Sequence, residues 1–174
     1  METPIAVLIA VALVLYAALT LGGEALRAVD TVGTCWREME HAAEERSRTE
    51  LSLTSSEEEE AGAVLKVTVA NQGSLKLHSF SSWDVVVQYY DSGGDYHIRW
   101  LPYTSSADPA ANQWTVQGLY LEAPTDAEIF EPGILNPSEE LVLKARVSPS
   151  AVITRTLMVV GTPNGVTTSA SLTE

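Results

Sequence analysis

Disulfides are excluded from the start, because the 174-residue chain has a single cysteine, Cys35. No pair can close within it, and no metal site can rest on thiolates. Cations are scarce too: 10 Lys and Arg stand against 23 Asp and Glu, a net charge of −13. A phosphate backbone repels such a molecule as a whole, so nucleic acid is not an expected partner. His41, His78 and His97 fall on a helix, a turn and a strand, with no two at ligand spacing, which argues against zinc. A G-x-S-x-G stretch and a glycine-rich phosphate loop are both missing, and Cys35 has no sequence-adjacent base. The sequence therefore supplies no catalytic residue, no cofactor site and no metal site, and an enzyme is not expected. The only N-x-[ST] triplet, Asn136-Pro137-Ser138, is disqualified as a glycan acceptor by its proline.

Charge is also missing from Pro4 to Leu21, a run interrupted only by Thr20. That length meets the roughly 18-residue threshold for a helix that spans a bilayer or fills a helical core. Thr3-Pro4 is a suitable opening, with Thr3 placed to cap free amides and Pro4 at a position where its missing N–H costs nothing. A secretory signal would need a basic stretch upstream and a small-residue cleavage site downstream. Glu2 is the only upstream charge and Leu21-Gly22-Gly23-Glu24 is a poor site, so the segment is expected to remain in the working protein.

Beyond Gly22-Gly23, Leu26, Val29, Gly33, Trp36 and Ala43 recur at helical spacing among charged residues, an amphipathic pattern. Glu40, Glu44 and Glu45 lie near Arg37, Arg46 and Arg48, pairs worth only tenths of a kcal/mol each. If the glycines do not break it, one helix runs from Pro4 to Arg48, on the order of 65 Å. Cys35-Trp36 on this helix reads as packing anchorage, with a reactive thiol as the alternative. Residues 1–48 are thus one expected unit and residues 49–174 another.

From Leu51 the period changes to two and turn residues recur at short intervals. The expected strands are Leu51–Thr54, Val64–Ala70, Asp84–Tyr90, Tyr96–Leu101, Trp114–Leu121, Glu140–Val147, Thr156–Gly161 and Val166–Leu172. About eight strands make a sandwich or barrel. Asn71-Gln72-Gly73, Asp91-Ser92-Gly93-Gly94-Asp95 and Pro163-Asn164-Gly165 read as turns, and Glu57–Glu60 as a solvated acidic loop. The two carboxylates of Asp91 and Asp95 leave a calcium loop as an alternative to a plain hairpin turn. On Tyr96–Leu101, alternation puts Tyr96, Ile98 and Trp100 on one face and His97 and Arg99 on the other, one of the two being wet.

An apolar helix that runs into an amphipathic one and then into strands resembles the archaellin-like family, which comprises the archaellum filament subunits and the accessory proteins F and G. Pro4 to Leu15 looks like the family's core helix, Val67-Thr-Val-Ala-Asn-Gln-Gly-Ser74 like its strand and Asn-x-Gly turn, and Val159-Val-Gly-Thr-Pro-Asn-Gly-Val166 like its closing hairpin. The resemblance implies an α+β fold: a long N-terminal helix followed by an immunoglobulin-like β-sandwich. Family precursors usually carry a short basic leader that is removed, and this sequence shows none. Arg27 and Arg37 would by themselves hold the β-domain in the cytoplasm.

The resemblance leads first to a subunit of an extracellular, type IV pilin-related helical filament for motility. Such a protein is inserted in the membrane before assembly, polymerises with itself and meets archaellum motor and platform proteins at its base. Its assembly core would be Ile5, Val7, Leu8, Ile9, Val11, Leu13, Val14, Leu15, Leu19, Leu21, Leu26, Val29 and Trp36, with small alanines allowing close approach. The alternative is a membrane-anchored accessory or stator protein whose sandwich binds a cell-surface partner. A third reading is an anchored enzyme or calcium-dependent adhesin.

Overall fold

The computed structural model describes residues 3–172, Thr3 by its backbone alone, so the expected Thr3 cap lies outside the described residues. The chain divides into two compact units, Met1–Glu44 and Glu45–Glu174. Helix α1 spans Thr3–Arg48 without a break. Gly22 and Gly23 sit inside it with open space around them. Two mid-helix glycines cost about 1 kcal/mol each in water, yet glycine is frequent in helices surrounded by lipid.

Nine strands follow: β1 (Leu51–Glu59), β2 (Val64–Asn71), β3 (Asp84–Asp91), β4 (Tyr96–Leu101), β5 (Gln113–Glu122), β6 (Asp126–Ala127), β7 (Glu140–Arg146), β8 (Ala151–Gly161) and β9 (Thr167–Ser171). They form an immunoglobulin-like sandwich of two antiparallel sheets, ordered β1-β2-β7-β5-β6 and β4-β3-β8-β9. Alternation puts Leu65, Val67 and Val69 of β2 and Leu141 and Leu143 of β7 on one inner face. Val85, Val87 and Tyr89 of β3 and Met158 and Val160 of β8 line the other, and all are buried. Trp114 fills the gap between the sheets, fully buried and edge-on to Tyr103 at 5.0 Å.

The eight expected strands are all present; β1 runs on past Thr54 to Glu59, β8 begins at Ala151 instead of Thr156, and one strand is added. Glu57, Glu58 and Glu59 are not a loop: they continue β1 in register with Lys66, Leu65 and Val64 of β2. An edge strand needs only a partner's backbone, and charged side chains on it discourage pairing with foreign strands. The added strand is β6, two residues paired with β5 at Tyr120↔Ala127 and Glu122↔Asp126.

The Asn-x-Gly turn has a structural reason. Asn71 is fully buried; its Nδ2 donates to the Leu75 carbonyl at 2.8 Å and the Leu135 carbonyl at 3.1 Å, and its Oδ1 accepts the Gly73 N–H at 3.1 Å. At Gly73 a Cβ would lie 2.4 Å from the Arg48 carbonyl oxygen and 2.6 Å from the Glu50 nitrogen, so only glycine fits. Within the same unit, Ser74 N–H donates to the Arg48 carbonyl at 2.8 Å, Arg46 Nε donates to the Asn164 carbonyl at 3.2 Å and Asn164 Nδ2 donates to Thr49 Oγ1 at 2.7 Å. The two turns, 71–74 and 162–165, thereby hold the last turn of α1, Glu45–Arg48.

Candidate functional site

Two features separate this chain from an ordinary soluble domain. The first lies in α1. Every residue expected in an assembly core is exposed, from 53% at Val11 to 76% at Leu19. The successive residues Leu13, Val14 and Leu15 point to different sides and are all apolar, so this half of the helix has no polar stripe. Thr20 Oγ1 donates to the Tyr16 carbonyl at 3.1 Å and lies 3.0 Å from that of Ala17, which satisfies the run's polar interruption without water. Among the described residues this is the one helix long and apolar enough to cross a membrane. Further along, Leu26, Val29 and Trp36 are exposed beside charged residues, with Arg27 paired to Glu24 at 3.1 Å.

The second feature is the outer face of the β4-β3-β8 sheet. Strand register aligns Trp100, Val86 and Val159 in one row, Ile98, Gln88 and Leu157 in the next, and Tyr96 with Tyr90 in a third. Tyr96, Ile98 and Trp100 are 51%, 58% and 60% exposed. The alternation in β4 is as expected, but its apolar side is exposed, while on the other side Leu101 is buried, His97 half-buried and Arg99 exposed. The aromatic groups are fixed in place: the Tyr90 and Tyr96 rings lie 5.0 Å apart, Arg155 sits over Tyr90 at 5.7 Å, Tyr96 Oη donates to Gln88 at 3.0 Å and Trp100 Nε1 to Asp84 at 2.9 Å. Exposed aromatic surface of this kind makes the face a candidate contact site.

The other side of β4 explains the inversion. His97 stacks on the fully buried Tyr89, ring centroids 5.0 Å apart, and its Nε2 lies 2.9 Å from Asp91 Oδ2. Asp91 Oδ1 accepts the Gly93 and Asp95 N–H groups, each at 2.9 Å. These bonds, that of His97 foremost, hold the Asp91 carboxyl below its ordinary value. Both Asp91 oxygens thus accept hydrogen bonds that close the hairpin turn. Burial pushes the Tyr89 phenol up, against the opposing pull of Arg99.

Elsewhere, Arg146 of β7 grips Glu60 with two bonds of 2.6 and 3.1 Å and reaches Asp108 at 3.2 Å, while Lys144 bonds Asp108 at 2.9 Å. The cluster pins the β1–β2 turn and the 104–112 loop onto β7. It leaves Glu60 and Asp108 below their ordinary values. Among the described residues no three or more His, Cys, Asp or Glu come together as a metal site. One feature the sequence pattern does not single out is the Ile129-Phe130 pair, which stands exposed between β6 and β7.

A family model described as conserved flagellar protein F, immunoglobulin-like domain, matches residues 50–167. The chain belongs to this family. No curated protein matches the sequence. Two solved structures from Sulfolobus acidocaldarius are similar in fold. The archaellum periplasmic stator protein complex FlaF and FlaG is 16% identical, with a TM-score of 0.48 over 69% of this chain and 85% of that one. The archaellum periplasmic stator protein FlaG is 17% identical, with a TM-score of 0.49 over 70% of this chain and 97% of that one. This member of the flagellar protein F family carries the immunoglobulin-like domain behind a helix long and apolar enough to cross a membrane. This favours the alternative expectation from sequence over the first: the family is that of flagellar protein F and not of the filament subunit, and a self-polymer gains no support from it.

Proposed function

We propose that this protein is a membrane-anchored accessory component of the archaellum, whose sandwich binds a cell-surface partner through the outer face of β3, β4 and β8. The observation that carries the reading is the exposed aromatic face of Tyr90, Tyr96, Ile98 and Trp100 on a domain of the protein F family. Such a face is costly to leave wet and is suited to a protein contact, since aromatic residues concentrate binding energy in the centre of interfaces. About 20 residues of α1 cross the bilayer in this reading, and the amphipathic part beyond Glu24 stands outside it. The whole-circumference apolar surface of Pro4–Leu21 fits lipid on every side.

Two measurements on native cells test this. The protein should fractionate with membranes and be a trace component of sheared archaella. The full chain in detergent should also sediment with purified surface layer or with archaellum basal assemblies. If it were the principal component of sheared filaments, the filament reading would return; a failure to sediment with either preparation would remove the binding role.

A further inference from the structure

The most exposed large apolar side chains of the sandwich are not on the sheet face. Phe130 is 85% and Ile129 75% exposed, at the tip of the segment joining β6 to β7. A flexible tip would mean little, but this one is tied down on both sides. The Glu128 carboxylate folds back to accept the Phe130 N–H at 2.5 Å and the Glu131 N–H at 3.1 Å. Glu128 N–H in turn donates to the Leu119 carbonyl of β5 at 2.9 Å. On the far side, Glu131 pairs with Lys76 at 2.8 Å, its carbonyl accepts the Ile134 N–H at 3.1 Å, and Leu135 exchanges two backbone bonds with Leu77. The two side chains are therefore presented by a backbone that is already ordered, which lowers the entropy lost on binding.

The surroundings are mainly acidic, Lys76 being taken up by its pair with Glu131. From Leu101 to Leu143 there is no Lys or Arg, while Glu122, Asp126, Glu128 and Glu131 flank the tip in sequence. Glu122 and Asp126 face each other across β5 and β6 just before it. We infer that the Ile129-Phe130 tip docks into an apolar pocket, rimmed by lysine or arginine, on a partner protein. The acidic collar complements such a rim and fixes the register of the contact. An anionic lipid surface would repel the same collar, and a second copy of this chain would meet its own negative charge. The contact is separate from the sheet face and does not depend on it.

The test is Phe130→p-benzoylphenylalanine in the full chain, cross-linked by light in native cells, with the adduct sequenced by mass spectrometry. The expected adduct is to one protein, at an apolar segment flanked by Lys or Arg. Its yield should fall about fivefold or more when Glu122→Lys and Asp126→Lys are added. The double change Ile129→Ser, Phe130→Ser should leave the unfolding midpoint unchanged, which shows that the tip is not needed for folding. No adduct, an adduct to lipid or to a second copy, an adduct to a segment without basic residues, or a yield indifferent to charge reversal would each overturn the inference. Trp100→p-benzoylphenylalanine serves as a separate arm: an adduct there without one at 130 removes the tip contact and leaves the sheet face standing, and the opposite result does the reverse.

Discussion

The Trp100 indole N–H donates to the Asp84 carboxylate at 2.9 Å, across the edge between β4 and β3. The ring's single polar atom is thereby satisfied, and its hydrocarbon surface is left to solvent or to a partner. Nothing in the core needs this ring. Trp100→Ser together with Ile98→Ser should therefore change the unfolding free energy by no more than about 0.5 kcal/mol each. Binding to the surface partner should weaken at least about tenfold. Thermal unfolding and sedimentation of the full chain with purified surface layer or basal assemblies measure the two quantities. A large loss of stability with unchanged binding would make the face structural.

Asn71 is the counter-example, a polar side chain that the fold cannot lose. Asn71→Ala removes two donated bonds and one accepted bond from a fully buried position. The expected cost is about 2–4 kcal/mol. Gly73→Ala should also destabilise, because the added methyl meets the Arg48 carbonyl. Urea unfolding followed by tryptophan fluorescence would read both; a wild-type midpoint for Asn71→Ala would refute the role given to it.

Asp91 should make stability depend on pH in one direction. Its folded carboxyl is held below the ordinary value, first by His97 and then by the Asp95 and Gly93 amides. A depressed carboxyl contributes stability that is fully present above the unfolded value of about 3.9 and is lost as pH falls through the folded value. Asp91→Asn should thus be less stable than the parent above about pH 4, by an amount that shrinks as pH falls below it. Urea titrations at several pH values provide the comparison, and a difference that grew on acidification below about pH 4 would contradict the assignment.

The apolar half of α1 can be challenged with a single charge. Leu13 lies midway along Pro4–Leu21, and Leu13→Arg would place a cation at the bilayer centre at a cost of about 2.5–3.5 kcal/mol or more. The variant should lose membrane retention, shown by its release on alkaline extraction. Full retention would mean that this segment does not cross the bilayer.

Cys35 offers a report on orientation, since it is the only cysteine and is exposed on α1. If the sandwich stands outside the cell, a membrane-impermeant maleimide should label Cys35 in intact cells. Labelling only after lysis would place the sandwich in the cytoplasm, as Arg27 and Arg37 on their own would favour.

Much of the fold could be read locally. Uninterrupted apolar residues from Pro4 and the helical spacing through Trp36 announce α1, and the observed helix ends at Arg48 as expected. The turns at Asn71-Gln72-Gly73 and Pro163-Asn164-Gly165 also carry their own chemistry: an Asx bond at the first, and at the second a glycine at φ +82° that packs against Arg46. The acidic stretch Glu57–Glu59 was illegible for the opposite reason, because its strand character comes from β2 and not from its own side chains. Ile129 and Phe130 gave no signal either. Two apolar residues in a loop look the same whether they fold inward or out, and the Glu128 carboxylate that turns this loop acts through backbone amides.

The sequence by itself determined the long apolar helix, the period-two strands and the alternation of Tyr96, Ile98 and Trp100 against His97 and Arg99. Those are short-range properties, set by 3.6- and 2-residue repeats. Only the tertiary structure decided which side of β4 faces water. Tyr89↔His97, Val87↔Arg99 and Val85↔Leu101 pair across β3 and β4, so the side of β4 that turns inward is the one aligned with the buried side chains of β3. Once Tyr89 and Val85 occupy the core, the register leaves the aromatic side of β4 outside.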